Sequence, residues 1–148
     1  MALVGDKVIL LIDDDPNDVD LTLRAFRNDA LDYKIVVARN GIEGLDYLRG
    51  TGAHAGRDPA ELPQVVLLDL NLPGIDGFEV LRRIRADERF RRVPVVILTS
   101  SNEDSDKLAG YGLGANSYVR KPVDFREFSD AVIRLGLYWM LVNEPPPQ

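Results

Sequence analysis

A three-layer α/β sandwich on a mainly parallel sheet is the fold class this sequence predicts, and two observations carry the prediction. Short runs rich in Val, Ile and Leu recur along the chain with helical stretches between them, the alternation of βαβ units rather than of hairpins. The intervening stretches place apolar residues at helical spacing, so each has one face that needs a sheet to cover it. The runs are Val8 to Ile12, Tyr33 to Ala38, Val65 to Leu70, Val95 to Thr99 and Asn116 to Val119. Right-handed crossovers stack this repeat into an open sheet with helices on both faces.

The first strand gives way to Asp13-Asp14-Asp15-Pro16, and the helix that follows aligns Val19, Leu23, Phe26 and Ala30 on one face, with Asn17 or Asp18 as its expected cap. After the second strand, Asn40-Gly41 marks the start of the second helix. The stretch from Arg49 to Pro63, with Gly50, Gly52, Gly56 and Pro59, departs from this tight spacing and reads as a long, mobile surface loop. His54, the only histidine, sits there and is expected to be solvated and without a role.

The third helix aligns Phe78, Leu81 and Ile84, then ends in Arg82, Arg83, Arg85, Arg89, Arg91 and Arg92. Cations at a helix C-terminus favour its dipole, and no aromatic ladder accompanies them, so the cluster reads as a solvated face rather than a nucleic-acid site. Ser101 followed by Asp104 has capping-box spacing for the fourth helix. The last helix carries Phe125, Phe128, Val132, Leu135, Trp139 and Val142 in one stripe and Ile133, Leu137 and Leu141 in a second. One stripe can face the sheet; the other is left over. A symmetric homodimer through Leu135, Tyr138, Trp139 and Val142 is therefore expected. Residues 1–142 read as a single domain and 143–148, with Pro145-Pro146-Pro147, as a flexible tail.

A chain of 148 residues has room for one compact domain, and 45% hydrophobic with 28% charged residues suits a soluble one with a proper core. Eighteen basic against 24 acidic residues give a formal charge of −6. Nucleic acid and anionic membrane surfaces are thus not the expected partners. The absence of cysteine excludes disulfides, thiolate zinc sites and cysteine nucleophiles. No run is long enough to span a membrane and Met1 to Lys7 lacks a signal layout, so a cytoplasmic location is expected.

Asp13, Asp14 and Asp15 follow the first strand, Asp69 closes the third, Thr99 closes the fourth and Lys121 lies just past the fifth. Open α/β sheets bind ligands outside the carboxyl ends of their strands, so these distant residues should converge. Any one of them alone would read as a turn residue or cap; their coincidence points to a site. Carboxylates packed together repel unless a cation neutralises them, and an oxygen-only set suits magnesium, Mg2+. A carboxylate such as Asp69 is a weak nucleophile toward phosphoryl groups, but a metal can screen the incoming charge while a lysine and a hydroxyl hold the oxygens. The residue types fit phosphoryl transfer onto an aspartate. No serine elbow, Walker loop or G-x-G-x-x-G follows a strand.

Ile9-Leu10-Leu11-Ile12-Asp13-Asp14, Leu67-Leu68-Asp69-Leu70-Asn71-Leu72-Pro73-Gly74, Val95-Val96-Ile97-Leu98-Thr99-Ser100 and Tyr118-Val119-Arg120-Lys121-Pro122 stand in that order. Together they make the chain resemble a response-regulator receiver domain of two-component signalling over nearly its whole length. The resemblance implies a flavodoxin-like α/β fold with strand order 2-1-3-4-5. It implies Asp69 as phospho-acceptor, Asp14 and Asp69 as Mg2+ ligands with the main-chain carbonyl of Asn71, and Asp13 acting on the metal through water. Thr99 and Lys121 would contact the phosphoryl group, and Thr99 with Tyr118 would form the switch. The long loop and the ending Leu137 to Val142 resemble the small stand-alone receivers that pair with phytochrome-type kinases. A sensor histidine kinase, here a phytochrome, is the partner this implies.

The resulting reading is a signalling module and not an enzyme acting on an external substrate. Two alternatives come from other classes. Asp13-x-Asp15 imitates the acid pair of a small haloacid-dehalogenase-like phosphatase, although Pro16 interrupts that motif and Asp69 would be left unexplained. A phosphorylation-independent binding module is the other.

Overall fold

The computed structural model describes residues 7–27, 34–100, 103–121 and 124–139. Strands and helices alternate as β1 (Val8–Ile12), α1 (Pro16–Arg27), β2 (Lys34–Ala38), α2 (Gly41–Arg49), β3 (Val65–Leu68), α3 (Gly77–Ala86), β4 (Val95–Thr99), α4 (Asp104–Gly112), β5 (Ser117–Arg120) and α5 (Phe125–Leu137). The strands form one sheet in the order β2-β1-β3-β4-β5, every neighbour parallel. That is the flavodoxin-like order implied above.

Both faces of the sheet are covered, which is why its strands are apolar runs rather than alternating ones. Successive side chains point to opposite faces. Leu10, Ile12, Val66, Leu68, Val95 and Ile97 therefore join Leu45 and Leu48 of α2 and Val80, Leu81 and Ile84 of α3 in one buried cluster. Ile9, Leu11, Val65, Leu67, Val96 and Leu98 join Val19 and Phe26 of α1 and Phe128 and Val132 of α5 in the other. Trp139 belongs to this second cluster and is only 7% exposed. Of the residues expected at a dimer face it is one the single chain already buries. Tyr138, edge-on to Trp139 with ring centroids 5.1 Å apart, stays 48% exposed. The Leu135 side chain, Val142 and the 143–148 tail lie outside the described residues, as does Ala30.

Several local expectations are corrected. The cap of α1 is Asp15, not Asn17 or Asp18: its Oδ1 accepts from Asn17 N at 2.8 Å and from Asp18 N at 3.4 Å. Pro16 explains the shift, because its fixed φ and missing N–H suit the first helical position. Asn40 caps α2 as expected, accepting from Glu43 N at 2.8 Å. α4 begins at Asp104 itself, after Glu103, which makes no side-chain capping bond, and Ser101 lies outside the described residues. β3 stops at Leu68 rather than Leu70, since the Leu70 carbonyl turns away to accept from Leu72 N and Gly77 N.

The 49–63 segment is tied down rather than loose. Thr51 Oγ1 donates to Asp46 Oδ1 at 2.9 Å, and the Arg57 guanidinium donates to the carbonyls of Tyr47 and Glu61. Arg57 also lies over the Tyr47 ring, 4.0 Å from its centroid, and His54 meets that ring edge-on. His54 is thus half-buried, with Nε2 shut off from solvent, and not the solvated residue expected.

The arginine cluster is likewise only in part a solvated face. Glu79 accepts from Arg82 and Arg83, and Asp87 pairs with Arg89. Arg85 departs from the rest: it donates to the carbonyls of Gly114, Arg91 and Val93 and to Asn116 Oδ1. Among the described residues no helix is long and apolar enough to cross a membrane.

Candidate functional site

The sheet order turns back at β1 and β3, so the crevice opens at their carboxyl ends. Ile12 stands opposite Leu68, and the next residues, Asp13 and Asp69, leave the sheet side by side. Asp69 N still donates to the Ile12 carbonyl at 3.0 Å, which fixes its backbone. Thr99 ends β4 opposite Arg120, and Lys121 N donates to the Thr99 carbonyl at 2.6 Å. Register alone therefore brings four strand ends, those of β1, β3, β4 and β5, to one place.

Five polar or charged residues are buried among those described: Asp13, Thr22, Asp69, Thr99 and Lys121. Thr22 is satisfied locally, its hydroxyl donating to the Asp18 carbonyl at 2.8 Å. The other four are the residues expected at the site. A buried ion must be paired, and Lys121 is. Its Nζ donates to Asp13 Oδ2 at 2.9 Å, to Asp18 Oδ2 at 2.7 Å and to Asp69 Oδ2 at 3.3 Å. Backbone amides hold the other acid oxygens: Asp15 N donates to Asp13 Oδ1 at 3.0 Å, and Asn71 N to Asp69 Oδ1 at 3.3 Å.

Burial pushes the Asp13 carboxyl up to about 6, against the pull of Lys121 and helped by the neighbouring Asp69 charge. For Lys121, burial works to lower the pKa, but Asp13 above all, then Asp18 and Asp69, raises it past the ordinary lysine value. The ammonium is thus held in its charged form by the acids around it. Asp13, Asp14 and Asp69 each bring one carboxylate oxygen within 4.8 Å of the others, with Asp14 on the exposed side. Three carboxylates pair with one ammonium, and Asp14 adds a fourth beside Asp13 and Asp69. Such a set is short of positive charge and long in hard oxygen ligands, which fits a divalent cation of the magnesium kind.

Asp15 does not join the cluster, because its carboxylate caps α1. The Asp13-x-Asp15 pair of the phosphatase alternative is accordingly not assembled. Tyr118 is half-buried on β5, its ring beside Gly110 of α4, and its N–H donates to the Tyr111 hydroxyl at 3.2 Å. Asp18, which the sequence offers only as a cap, joins the site through its 2.7 Å bond from Lys121 Nζ. The available signal was its position three residues after a capping Asp, on a helix that starts at the carboxyl edge of the sheet.

A sequence model of the response regulator receiver domain matches residues 9–133. The chain belongs to the response regulator receiver family. This receiver is 40% identical over 139 residues to the probable methanogenesis regulatory protein FilR2 of Methanothrix harundinacea, covering 94% of this chain and 87% of that one. It is 32% identical over 134 residues to response regulator Rcp1 of Synechocystis sp., covering 90% and 89%. The crystal structure of the Mn(2+)-bound form of Rcp1 superposes with a TM-score of 0.87, covering 95% of the receiver and 99% of that chain at 31% identity. That of the phosphorylated cyanobacterial phytochrome response regulator RcpA gives 0.88, covering 96% and 99% at 33% identity. The receiver is thus a response regulator domain of two-component signalling with phytochrome-linked relatives.

Proposed function

We propose that this receiver takes a phosphoryl group onto Asp69 from the phosphohistidine of a sensor histidine kinase, a phytochrome, and that the change alters its protein-binding surface. The observation that carries the reading is the buried Asp69 carboxylate, aligned by Asn71 N and paired with a buried lysine at 3.3 Å. In the transfer, an Asp69 carboxylate oxygen forms the new O–P bond as the N–P bond of the donor breaks. The electron pair returns to the imidazole, whose other nitrogen carries the proton that leaves it neutral.

Each residue has a task in that step. Lys121 would offset the charge that accumulates on the phosphoryl oxygens, and the hydroxyl of Thr99, at the end of β4, would donate to one of them afterwards. Asp14 and Asp69, with the Asn71 carbonyl, would hold Mg2+, and Asp13 would act on it through water. When bound, the ion screens the incoming phosphoryl from the surrounding carboxylates. Burial leaves Asp69 reachable by a docked phosphohistidine while limiting hydrolytic water.

The phytochrome assignment is supported by the likeness to RcpA and Rcp1. Homodimer formation is supported by Tyr138, exposed at the end of α5. The receiver acts in the cytoplasm, turning over no substrate of its own. Intact mass after incubation with acetyl phosphate tests the reading. One phosphoryl adduct is expected, only with Mg2+ present and not in Asp69→Asn; a folded native chain that never gains this mass contradicts it.

A further inference from the structure

An ammonium has three N–H donors, and Lys121 spends all three on carboxylates. Phosphorylation of Asp69 replaces its bond, the longest of the three at 3.3 Å, by the phosphoryl group, and a lysine drawn toward more than one of the new oxygens must give up a second bond. The two remaining partners are not equally able to release it. Asp13 is 2% exposed and cannot turn to water. The Asp18 side chain is 28% exposed, sits in the first turn of α1 and makes the shortest of the three bonds, 2.7 Å. It is the one carboxylate that water can take over at small cost.

We infer that Asp18 is a positioning residue which holds Lys121 in the unphosphorylated state and surrenders it to the phosphoryl group. The inference rests on the phospho-acceptor reading above. Phosphorylation exchanges the Lys121–Asp18 ion pair for a Lys121–phosphoryl contact, and the first turn of α1 loses its tie to β5. Because α1 shares a buried cluster with α5, the phosphorylation state is then communicated to the α1/α5 side of the sheet. Asp18 also sets a threshold: its hold on Lys121 favours the unphosphorylated form.

Two readouts test this on the full chain with Mg2+ present. The first is the carboxyl carbon resonance of Asp18, followed by NMR before and after acetyl phosphate. It is expected to move on phosphorylation toward its position in unphosphorylated Lys121→Met, where the partner is absent. The second is the donor concentration that half-phosphorylates the chain, read by intact mass. Asp18→Asn, which keeps the shape and the backbone bond to Thr22, is expected to lower it about threefold, the size of a partly exposed ion pair. A cap or packing role alone would move the melting temperature of Asp18→Asn but neither readout. An Asp18 resonance that stays put while the mass shows full phosphorylation overturns the inference. A native chain with no adduct overturns the phospho-acceptor reading instead, and the inference with it.

Discussion

Asp13 and Lys121 carry opposite charges into a place that water barely reaches, and each answers differently. Lys121 is held charged by the acids around it, whereas Asp13 keeps its proton up to about 6 against an ordinary 3.8. Between these values Asp13 keeps in the folded chain a proton that it has lost in the unfolded one. For a carboxyl with a raised folded pKa, stability falls as pH rises through that window, so Asp13 opposes folding of the metal-free receiver at neutral pH. A divalent cation needs the carboxylate, and its affinity should be full above about pH 6 and decline below it. Calorimetric titration with Mg2+ is expected to show weaker binding at about pH 5 than at about pH 8, beyond what ordinary carboxylates give. Equal affinity at both would mean that Asp13 is not close to the ion. Asp13, Asp14, Asp69, Thr99 and Lys121 were legible in the sequence because each sits at a strand end, and strand ends in this class of fold share one edge. Asp18 was not, since its position alone is equally that of a cap, and only the Lys121 contact separates the two.

At the scale of elements, the loop from β3 to α3 decides where Asp69 stands. A Cβ on Gly77 would lie 2.4 Å from the Asp69 carbonyl oxygen and 2.7 Å from Leu70 Cα, both backbone atoms without room to yield. Gly77→Ala is expected to cost about 1–3 kcal/mol in urea unfolding. It should also slow acetyl phosphate labelling severalfold, because Asp69 must move with the loop. Normal labelling in a stable Gly77→Ala chain would show that the loop is not needed to place the acceptor. Arg85 works at the opposite edge, where its guanidinium joins α3, the turn before β4 and the α4–β5 connection through neutral acceptors only. Arg85→Ala should lose about 2 kcal/mol by leaving those acceptors unmet. Arg82→Ala, whose partner is Glu79 on the surface, should leave the urea midpoint unchanged. These arginines look alike in the sequence. What separates them is a set of carbonyls delivered from distant parts of the chain, and spacing does not register that. The 49–63 shelf went unread for the same reason, for glycines and prolines announce a loop but not the Arg57–Tyr47 contact that fixes it.

Across the whole molecule, the site exists because the sheet reverses between β1 and β3 and because register sets four strand ends level. The number of strands and their parallel character followed from composition and period. Their order did not, since nothing in the apolar runs says which crossover goes to which edge, and it came only from the resemblance to receivers. The surface away from the site still exposes Leu108 and Tyr111 on α4 and Tyr138 after α5, with Leu108 75% exposed. If the receiver pairs through the end of α5, sedimentation equilibrium should show a two-chain mass at micromolar concentration that Tyr138→Arg reduces. A one-chain mass at every concentration would remove the dimer. The central claim, that the phosphoryl group rides on Asp69, is tested most directly by trapping it. Borohydride reduces an acyl phosphate to an alcohol, which would convert a phosphorylated aspartate into homoserine, and peptide mass spectrometry locates the change. Homoserine at residue 69, dependent on both phosphodonor and Mg2+, is the expected result. Homoserine at residue 13 or 14, or phosphate retained on a hydroxyl such as that of Thr99, would contradict it.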